Sequence, residues 1–258
     1  LYFLRLDLND IAPQTEVVLE VGSVTDKARL ESVFERHSPH LVFHAAAHKH
    51  VPLMEACPVQ ALKNNVLGTY NVVRCAHQNH SERFVLISTD KAVRSSNIMG
   101  ATKRMAEFVA KYYGGISKTR FTTVRFGNVL GSNGSLLPIL ERQIAKGGPV
   151  TVTHPNITRF FMTIPEAVGL VLIAMMQEEG QLCVLDMGDP VNIDHLARQL
   201  ISLHGMIPDQ DIQVTYTGLR PGEKMYEELF CHTETLTPSS HQRIFLANGE
   251  APVDNIDE

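Results

Sequence analysis

The sequence lacks tryptophan and has only four cysteines among its 258 residues. The cysteines lie far apart, and none forms the Cys-x-x-Cys pair that binds metals or exchanges disulfides. Cys75 and Cys183 fall inside apolar segments, where a free thiol behaves as a small core residue. This pattern argues against a disulfide framework and indicates a reducing compartment.

Two further absences concern charge and hydrophobic length. The formal net charge is −5, and no cluster of basic residues interleaved with aromatic residues occurs, so we expect no nucleic-acid partner. The longest apolar run, residues 168–176, is about half of the ~20 residues that span a bilayer. The opening residues lack an initiating methionine and the basic region of a signal peptide. We therefore expect a soluble chain that is a piece of a longer protein.

The chain also lacks the glycine fingerprint G-x-G-x-x-G, which follows the first strand of dinucleotide-binding domains. Residues 127–134, GNVLGSNG, are rich in glycine, but their spacing differs and they come late in the chain. We interpret them as a loop on the substrate side of a site. A plain structural turn is the alternative.

Apolar runs alternate with helical periodicity through the first half of the chain. Continuous apolar strands that alternate with helices are typical of a parallel sheet covered on both faces. The predicted strands are residues 16–21, 41–43, 83–87 and 121–125. The predicted helices are residues 26–35, 59–77 and 100–113. Residues 1–135 are thus predicted to form a nucleotide-binding domain that is incomplete at its N-terminus.

The second half is less regular and predicts a smaller α+β lobe, residues 136–234, that binds substrate over the carboxyl edge of the sheet. Its predicted helices are residues 136–146, 165–177, 193–203 and 223–230. Its predicted strands are residues 150–153, 183–186 and 213–217. Residues 235–258 are polar and contain proline, so they are predicted to form a loop or a frayed tail.

Three histidines occur in residues 44–50, HAAAHKH, directly after a predicted strand. Histidines at this spacing can bind a metal, but no acidic or cysteine ligand lies close in sequence. The alanines are more typical of a passage where a ligand approaches the backbone. We interpret this stretch as a nucleotide-contacting loop and predict no metal site. Histidines with a purely structural role are the other alternative.

Residues 88–103, STDKAVRSSNIMGATK, place an acid, two lysines and several hydroxyls where a buried strand ends. Asp90 and Lys91 are adjacent, so one loop can present an acid and a base. Such a pair suits an elimination, in which one group removes a proton while the other protonates the departing oxygen. The alternative is a solvated ion pair that precedes a helix whose Lys103 faces water.

Two arginines of the second half lie in turn-rich segments. Arg159 occurs in TRFFM and Arg220 in LRPGEK. Guanidinium groups favour bidentate contacts with phosphate, so both are candidate ligands of a diphosphate. A lone surface charge is the alternative for each.

Seven stretches carry the clearest signal: HAAAHKHVPLME, NNVLGTYNV, FVLISTDKAV, NIMGATKRMAE, VRFGNVLGSNGSLLP, TVTHPNITRFFMTIPEA and TGLRPGEKMYEEL. Together they resemble the nucleotide-sugar 4,6-dehydratases of bacterial polysaccharide and flagellin-glycan synthesis, within the extended short-chain dehydrogenase/reductase superfamily. The resemblance implies a Rossmann-like doubly wound parallel sheet with a smaller α+β lobe. It also implies a lyase with bound NAD or NADP and UDP-N-acetylglucosamine as substrate. Hydride leaves sugar C4, water is lost across C5–C6, and hydride returns to C6.

The resemblance further implies roles for individual residues. Asp90 would protonate the departing C6 hydroxyl, Lys91 would remove the C5 proton, and Thr89 would contact the sugar near C4. Lys103 would hold the nicotinamide ribose. The implied cofactor-lining positions, besides Lys103, are Ala45, Ala46, Lys49, Asn65 and Ser88. The implied substrate and nucleotide contacts are Asn128, Arg159, Arg220 and Glu223.

Met99 departs from the general pattern of the superfamily, which has tyrosine four residues before this lysine. The membrane-anchored subgroup also has methionine here, so the resemblance narrows to that subgroup. A thioether cannot take up or release a proton. The C4 hydroxyl proton would then leave through Thr89 to water or Lys103, or through Lys91 acting twice.

The family's N-terminal strand, glycine-rich loop and second strand do not occur in this sequence, so the chain alone is expected to bind cofactor poorly. Long members carry an N-terminal membrane portion. The resemblance implies a cytoplasmic homo-oligomer, held at the cytoplasmic face of the inner membrane in such a full-length protein. Two alternatives stay open: a UDP-sugar 4-epimerase, which has no use for an acid/base pair at C5–C6, and an inactive sugar-nucleotide-binding module.

Overall fold

A computed structural model of the chain describes residues 2–132, 134–177 and 182–248. Within these ranges the strands are β1 (Leu41–His44), β2 (Arg83–Ile87), β3 (Arg120–Arg125), β4 (Asn128–Val129), β5 (Val150–Val152), β6 (Thr158–Arg159), β7 (Phe161–Met162), β8 (Leu182–Leu185), β9 (Val191–Asn192), β10 (Val214–Tyr216), β11 (Thr235–Pro238) and β12 (Ile244–Asn248). The helices are α1 (Tyr2–Ile11), α2 (Lys27–His37), α3 (Val51–Ala56), α4 (Pro58–Ala61), α5 (Gly68–Gln78), α6 (Ile98–Ile116), α7 (Leu136–Ala145), α8 (Ile164–Met175) and α9 (Ile193–Leu203).

The main sheet in this part of the chain has six strands in the order β1-β2-β3-β8-β12-β11. The first four run parallel, β12 runs antiparallel to β8, and β11 runs antiparallel to β12. Successive side chains of β2 point to opposite faces: Phe84 and Leu86 pack under α2, α5 and α6, whereas Val85 packs with α8. Helices therefore cover both faces, which confirms the predicted doubly wound sheet.

Polar side chains fix where two of these helices begin. Asn97 caps α6 by accepting a hydrogen bond from a backbone N–H of the first turn, and Thr163 forms a capping box with Glu166 at α8. The predicted helix 59–77 is present, but a π-helical turn, Leu62–Leu67, interrupts it. Such turns are rare and are frequently found at functional sites.

A second core lies beside the carboxyl edge of the main sheet. Helices α7 and α9 pack on the parallel pair β5–β10 through residues such as Leu140, Ile144, Val150 and Ile201. The short pairs β4–β7 and β6–β9 join neighbouring segments of this half. An α+β core is therefore present as expected. The division of the chain at residue 135 stays a prediction, because β8 of the second half belongs to the main sheet.

The strand predicted at residues 16–21 is wrong. This segment is irregular, and no strand in the described ranges pairs with it. Glu20 Oε1 instead accepts a hydrogen bond from the Arg36 guanidinium over 2.9 Å and lies 2.8 Å from His37 Nε2, both on α2. A β-strand is stable only when a neighbouring strand forms hydrogen bonds with its backbone groups. The apolar pattern of residues 16–21 is therefore not enough to form a strand.

Two predictions near the C-terminal end are also wrong. Residues 223–230 are irregular with bends rather than helical, and Lys224 donates a hydrogen bond to the carbonyl of Val93. Residues 235–248 are not a loose tail but form β11 and β12. The apolar run Ile244–Asn248 pairs with β8 at the centre of the sheet, whereas residues 249–258 lie outside the described residues.

Candidate active site

The carboxyl ends of β1, β2 and β3 lie at one edge of the main sheet, where the loops that follow them surround a cavity of about 350 Å³. Because parallel strands all end at the same edge, residues that are distant in sequence meet there. The predicted residues that line this cavity are Ala45, Lys49, Ser88, Thr89, Lys91, Met99, Lys103 and Asn128.

Thr89, Asp90 and Lys91 form a compact hydrogen-bonded group at the end of β2. Thr89 Oγ1 donates to Asp90 Oδ1 over 2.9 Å, and Lys91 Nζ donates to the same oxygen over 2.9 Å. Lys91 Nζ also donates to Asn128 Oδ1 over 3.2 Å. The side chain of Asp90 is 0% exposed, so the alternative of a solvated surface ion pair is wrong.

The second oxygen of Asp90 is left without a partner. Within the described ranges Asp90 Oδ2 is buried and makes no hydrogen bond. Gly127 passes so close that a β-carbon there would lie 3.2 Å from this oxygen and 2.9 Å from the β-carbon of Phe160. A buried carboxylate oxygen without a partner is costly, and such groups in native structures call for a functional or structural explanation. The unbonded oxygen makes Asp90 a candidate for a functional role.

Met99 and Lys103 lie one turn apart on α6, and both line the cavity. Met99 is buried against Met54 and Ala61. Lys103 is 5% exposed, and no hydrogen bond of its ammonium is found within the described part of the chain. Burial lowers the pKa of Lys103 to about 8, although Glu107 acts in the opposite direction. The alternative in which Lys103 faces water is wrong; its ammonium is available to a ligand in the cavity.

Asn65 holds the histidine-rich loop, residues 44–50, in place through hydrogen bonds. It lies in the π-helical turn and is 0% exposed. Asn65 accepts from the backbone N–H of His48 over 2.8 Å and donates to its carbonyl over 3.0 Å. It also donates to Thr102 Oγ1 on α6 over 3.0 Å. Asn65 thus positions the loop and does not line the cavity. Ala46 is exposed and lies outside the cavity as well.

The first histidine of this loop is part of the core. His44 is buried and its Nε2 lies 2.9 Å from Thr69 Oγ1. Burial, together with the charge of Lys103, lowers the pKa of His44 to about 3, so its ring is neutral at physiological pH. A structural role, one of the alternatives weighed for these histidines, fits His44.

The predicted substrate contacts meet in a second, smaller cavity of about 120 Å³, which shares Lys91 and Asn128 with the first. Arg159 is buried and donates to Glu223 Oε1 over 3.1 Å. Arg220 is exposed, and its guanidinium has no bonded partner within the described ranges, so it can reach an anion. The sequence therefore identified Lys91, Asn128, Arg159, Arg220 and Glu223 among the residues that line this cavity. It did not identify Glu227, the one further charged residue that the structure describes in that lining.

A buried network beneath the first cavity was not predicted. Ser88 Oγ donates to Glu107 Oε1 over 2.5 Å, and Arg125, which is 0% exposed, donates to Glu107 Oε2 over 2.8 Å and to Glu234 Oε2 over 2.9 Å. Burial acts to raise the pKa of Glu107, but the Arg125 guanidinium outweighs it and holds the pKa below the ordinary value. The network ties the Ser88 loop to α6 and to the segment before β11.

Relatives with known sequences point to one family. A family model described as polysaccharide biosynthesis protein matches residues 3–249. The probable polysaccharide biosynthesis protein EpsC of Bacillus subtilis is 53% identical over 227 residues, which are 86% of this chain but only 38% of EpsC. The uncharacterized membrane protein MJ1061 of Methanocaldococcus jannaschii is 49% identical over 88% of this chain and 69% of its own length. A UDP-glucose 4-epimerase of Rickettsia canadensis is 36% identical over 80% of this chain and 60% of that enzyme.

Solved structures agree on the fold. Pen from Bacillus thuringiensis has a TM-score of 0.83 at 33% identity, covering 96% of this chain and 76% of Pen. The dTDP-glucose 4,6-dehydratase DesIV from Streptomyces venezuelae, solved with NAD and TYD bound, has a TM-score of 0.75 at 19% identity, covering 87% of this chain and 74% of DesIV. The fold is thus Rossmann-like. On the family match and these relatives, the chain belongs to the polysaccharide biosynthesis protein family.

Proposed function

We propose that this chain is the catalytic part of a nucleotide-sugar 4,6-dehydratase that converts UDP-N-acetylglucosamine to a UDP-4-keto-6-deoxy sugar. The observation that carries the proposal is the buried hydrogen-bonded pair of Asp90 and Lys91 at the edge of the cavity. Elimination of water needs an acid and a base at neighbouring carbons. Oxidation at a single carbon needs no such pair.

The larger cavity fits the nicotinamide end of NAD or NADP. Lys103 offers to a ribose hydroxyl an ammonium that makes no hydrogen bond to the described residues, and the small side chain of Ala45 leaves room for a ligand beside the backbone. When bound, the cofactor would accept the hydride of sugar C4 and return it to C6. The presence of NAD in the related DesIV fold supports this choice.

The smaller cavity suits the nucleotide diphosphate. Among the described residues no group bonds the guanidinium of Arg220, which lines this cavity, and Arg159 adds a buried positive charge. Lys91 and Asn128 belong to both cavities, so they lie between the proposed positions of the diphosphate and the nicotinamide. The sugar, which joins these two ends of the assembly, would then lie against the acid/base pair.

The hydrogen bond from Thr89 to Asp90 offers a route for the C4 hydroxyl proton that does not need a tyrosine. Thr89 Oγ1 can pass its own proton to Asp90 Oδ1 over 2.9 Å while it takes the proton of the C4 hydroxyl. Asp90 then carries the proton with which the C6 hydroxyl leaves as water. Lys91 removes the C5 proton and later returns it. All protons released are consumed again, and Met99 takes no part.

The proposal is tested by incubating the full-length protein with NAD, NADP and UDP-N-acetylglucosamine and following the sugar by NMR. Loss of water with a 4-keto group and a 6-methyl group is the expected product. Thr89→Val should slow C4 oxidation, read as the absorbance of the reduced cofactor. An unchanged oxidation rate in Thr89→Val would contradict the proposed proton route but not the dehydration itself.

A UDP-sugar 4-epimerase is the second candidate, and the relationship to the UDP-glucose 4-epimerase of Rickettsia canadensis favours it. An epimerase would yield a C4 epimer without loss of water. It should also tolerate Asp90→Asn far better than a dehydratase, because it protonates no leaving group. Tight binding of UDP-N-acetylglucosamine without any turnover would instead indicate an inactive binding module.

We also propose a cytoplasmic homo-oligomer that is attached to the inner membrane in its full-length form. Relatedness to a protein named as a membrane protein supports the attachment. Within the described ranges no helix has the length and apolar character needed to cross a bilayer. Fractionation of cells that express the full-length protein, before and after a salt wash, tests the attachment.

A further inference from the structure

Glu227 lies where the two cavities approach each other, and the proposed mechanism does not use it. Its side chain is 4% exposed. Its Oε1 is 3.9 Å from Lys91 Nζ and 4.0 Å from Arg159 Nε, distances too long for hydrogen bonds but short enough for strong charge interaction. Its Oε2 is buried and makes no hydrogen bond within the described ranges. Glu227 is therefore a titratable carboxyl group near Lys91 rather than a hydrogen-bonded structural group.

The neighbouring carboxylate Glu223 shows what a structural group looks like in the same place. Glu223 Oε1 accepts from Arg159 over 3.1 Å and from Thr153 over 3.3 Å. Its other oxygen accepts from the backbone N–H of Arg220 over 3.2 Å. Both oxygens of Glu223 are thus bonded, in contrast to those of Glu227.

The surroundings of Glu227 favour its protonated form. Burial is the largest influence and raises its pKa, and the nearby carboxylate of Asp90 acts in the same direction. Lys91, Arg159 and Lys224 act against this shift but do not cancel it, so the pKa of Glu227 stays above its ordinary value. Glu227 therefore keeps its proton to a higher pH than an exposed glutamate.

The proposed elimination needs a particular distribution of protons in this group. After C4 oxidation the pair of Asp90 and Lys91 shares the one proton that Thr89 passes on from the C4 hydroxyl. The elimination needs that proton on Asp90, with Lys91 as an uncharged amine. The observed hydrogen bond links Lys91 Nζ to Asp90 Oδ1 over 2.9 Å, so one transfer suffices: an N–H bond breaks and an O–H bond forms. A second negative charge 3.9 Å from Lys91 stabilises the ammonium and opposes that transfer.

We propose that Glu227 is a positioning residue that controls whether Lys91 can give its proton to Asp90. An uncharged Glu227 permits the transfer, and a Glu227 carboxylate opposes it. The inference rests on the proposed dehydration, since only that reaction requires the pair in this form. Activity should accordingly fall as pH rises through the range in which Glu227 ionises.

The pH dependence of kcat for the full-length protein, with cofactor and UDP-N-acetylglucosamine, tests this inference. Glu227→Gln mimics the protonated form at every pH, so the fall on the alkaline side should disappear and kcat there should be about tenfold higher than in the wild type. Glu228→Gln is the matched control, because Glu228 is adjacent in sequence but pairs with Arg94 on the outside. Its pH profile should equal that of the wild type. A Glu227→Gln profile that keeps the alkaline fall, or a folded variant without activity at any pH, would overturn the inference.

A second measurement needs no turnover. Only an uncharged amine reacts with acetic anhydride, so mass spectrometry of acetylated Lys91 as a function of pH reports its protonation. Glu227→Gln should acetylate about tenfold faster than the wild type at alkaline pH, whereas Glu228→Gln should match the wild type. Equal rates in all three proteins would refute the control by Glu227. If Lys91 is acetylated faster in Glu227→Gln but the protein removes no water from the sugar, the proposed dehydratase function is contradicted. The coupling of Glu227 and Lys91 would still stand.

Discussion

Two groups of buried charges in this chain differ in how completely their polar atoms are bonded. In the anchor group, Arg125 makes two hydrogen bonds to each of Glu107 and Glu234, at 2.8 to 3.2 Å. In the site group, Asp90, Lys91 and Glu227, the Oδ2 atom of Asp90 and the Oε2 atom of Glu227 are buried and make no hydrogen bond to the residues that the structure describes. A fully bonded group holds structure together, whereas a partly bonded one keeps its capacity for a ligand or for proton transfer. The two groups should therefore respond in opposite ways to substitution.

The largest expected effect comes from breaking the site group. Lys91→Met removes the proposed base while keeping most of the side-chain volume, so kcat should fall by about 10²–10⁴-fold. The melting temperature should also fall, because Met leaves the buried Asp90 carboxylate without its cation, so kcat is compared at a temperature at which circular dichroism shows both proteins to be folded. The exposed Lys118, changed to Met, is the control and should keep full activity. Activity of Lys91→Met within tenfold of the wild type would exclude Lys91 as the base.

Breaking the anchor group should instead cost stability. Arg125→Met removes the buried cation of Glu107 and Glu234 and leaves them only Arg104, which pairs with Glu107 at 2.6 Å and with Glu234 at 3.3 Å. Removing one partner of a buried pair costs about 3–5 kcal/mol in the free energy of unfolding. Urea denaturation followed by circular dichroism measures this loss. Arg243→Met, which removes an exposed ion pair with Glu166, is the matched control and should lose far less. Equal losses in the two variants would show that the buried network is not what stabilises the sheet edge.

The two groups should also give opposite dependence of stability on pH. Arginine charge holds the pKa of Glu107 and Glu234 below the ordinary 4.5, so their contribution is full above pH 4.5 and is lost as pH falls through the folded values. The raised pKa of Glu227 has the opposite effect: the folded state loses stability as pH rises from 4.5 through the pKa of Glu227 in the folded protein.

Melting temperatures between acid and neutral pH check this contrast. Glu107→Gln should be less stable than the wild type at neutral pH, and the difference should shrink in acid. Glu227→Gln should be more stable than the wild type at neutral pH, and that advantage should also vanish in acid. If both variants changed the melting temperature in the same direction at neutral pH, the distinction between the anchor group and the site group would be wrong.

The sequence predicted the sheet and most of the cavity for a physical reason. Continuous apolar strands that alternate with helices imply a parallel sheet, and parallel strands bring their following loops to one edge. Residues directly after β2, such as Thr89 and Lys91, could therefore be assigned to a site before any contact was known. The capped start of α6 then fixes Met99 and Lys103 on the same side of that site.

The residues that sequence reasoning missed depend on contacts between distant segments. Arg125 donates a hydrogen bond to Glu234, which lies 109 positions further along the chain, and no local sequence pattern predicts such a pair. Glu227 was hidden because residues 223–230 were predicted as a helix, on which a glutamate is ordinarily solvated. The apolar run before residue 249 was a usable signal for β12, but the polar residues around it obscured that signal. The strand predicted at residues 16–21 is wrong for the opposite reason. Its apolar pattern is local, but no strand among the described residues pairs with it.

The smallest expected effect belongs to Met99, which fills space in the site without exchanging protons. Met99→Leu nearly conserves volume in a position buried against Met54 and Ala61, so the free energy of unfolding should change by less than about 1.5 kcal/mol. Since the sulfur holds no proton, kcat should stay within about fivefold, the equivalent of roughly 1 kcal/mol. Met54→Leu, a neighbouring buried methionine outside the larger cavity, is the matched control. A loss of activity well beyond fivefold in Met99→Leu but not in Met54→Leu would mean that the thioether contacts the reacting groups, and the proton route through Thr89 and Asp90 would then need the sulfur as a positioning contact.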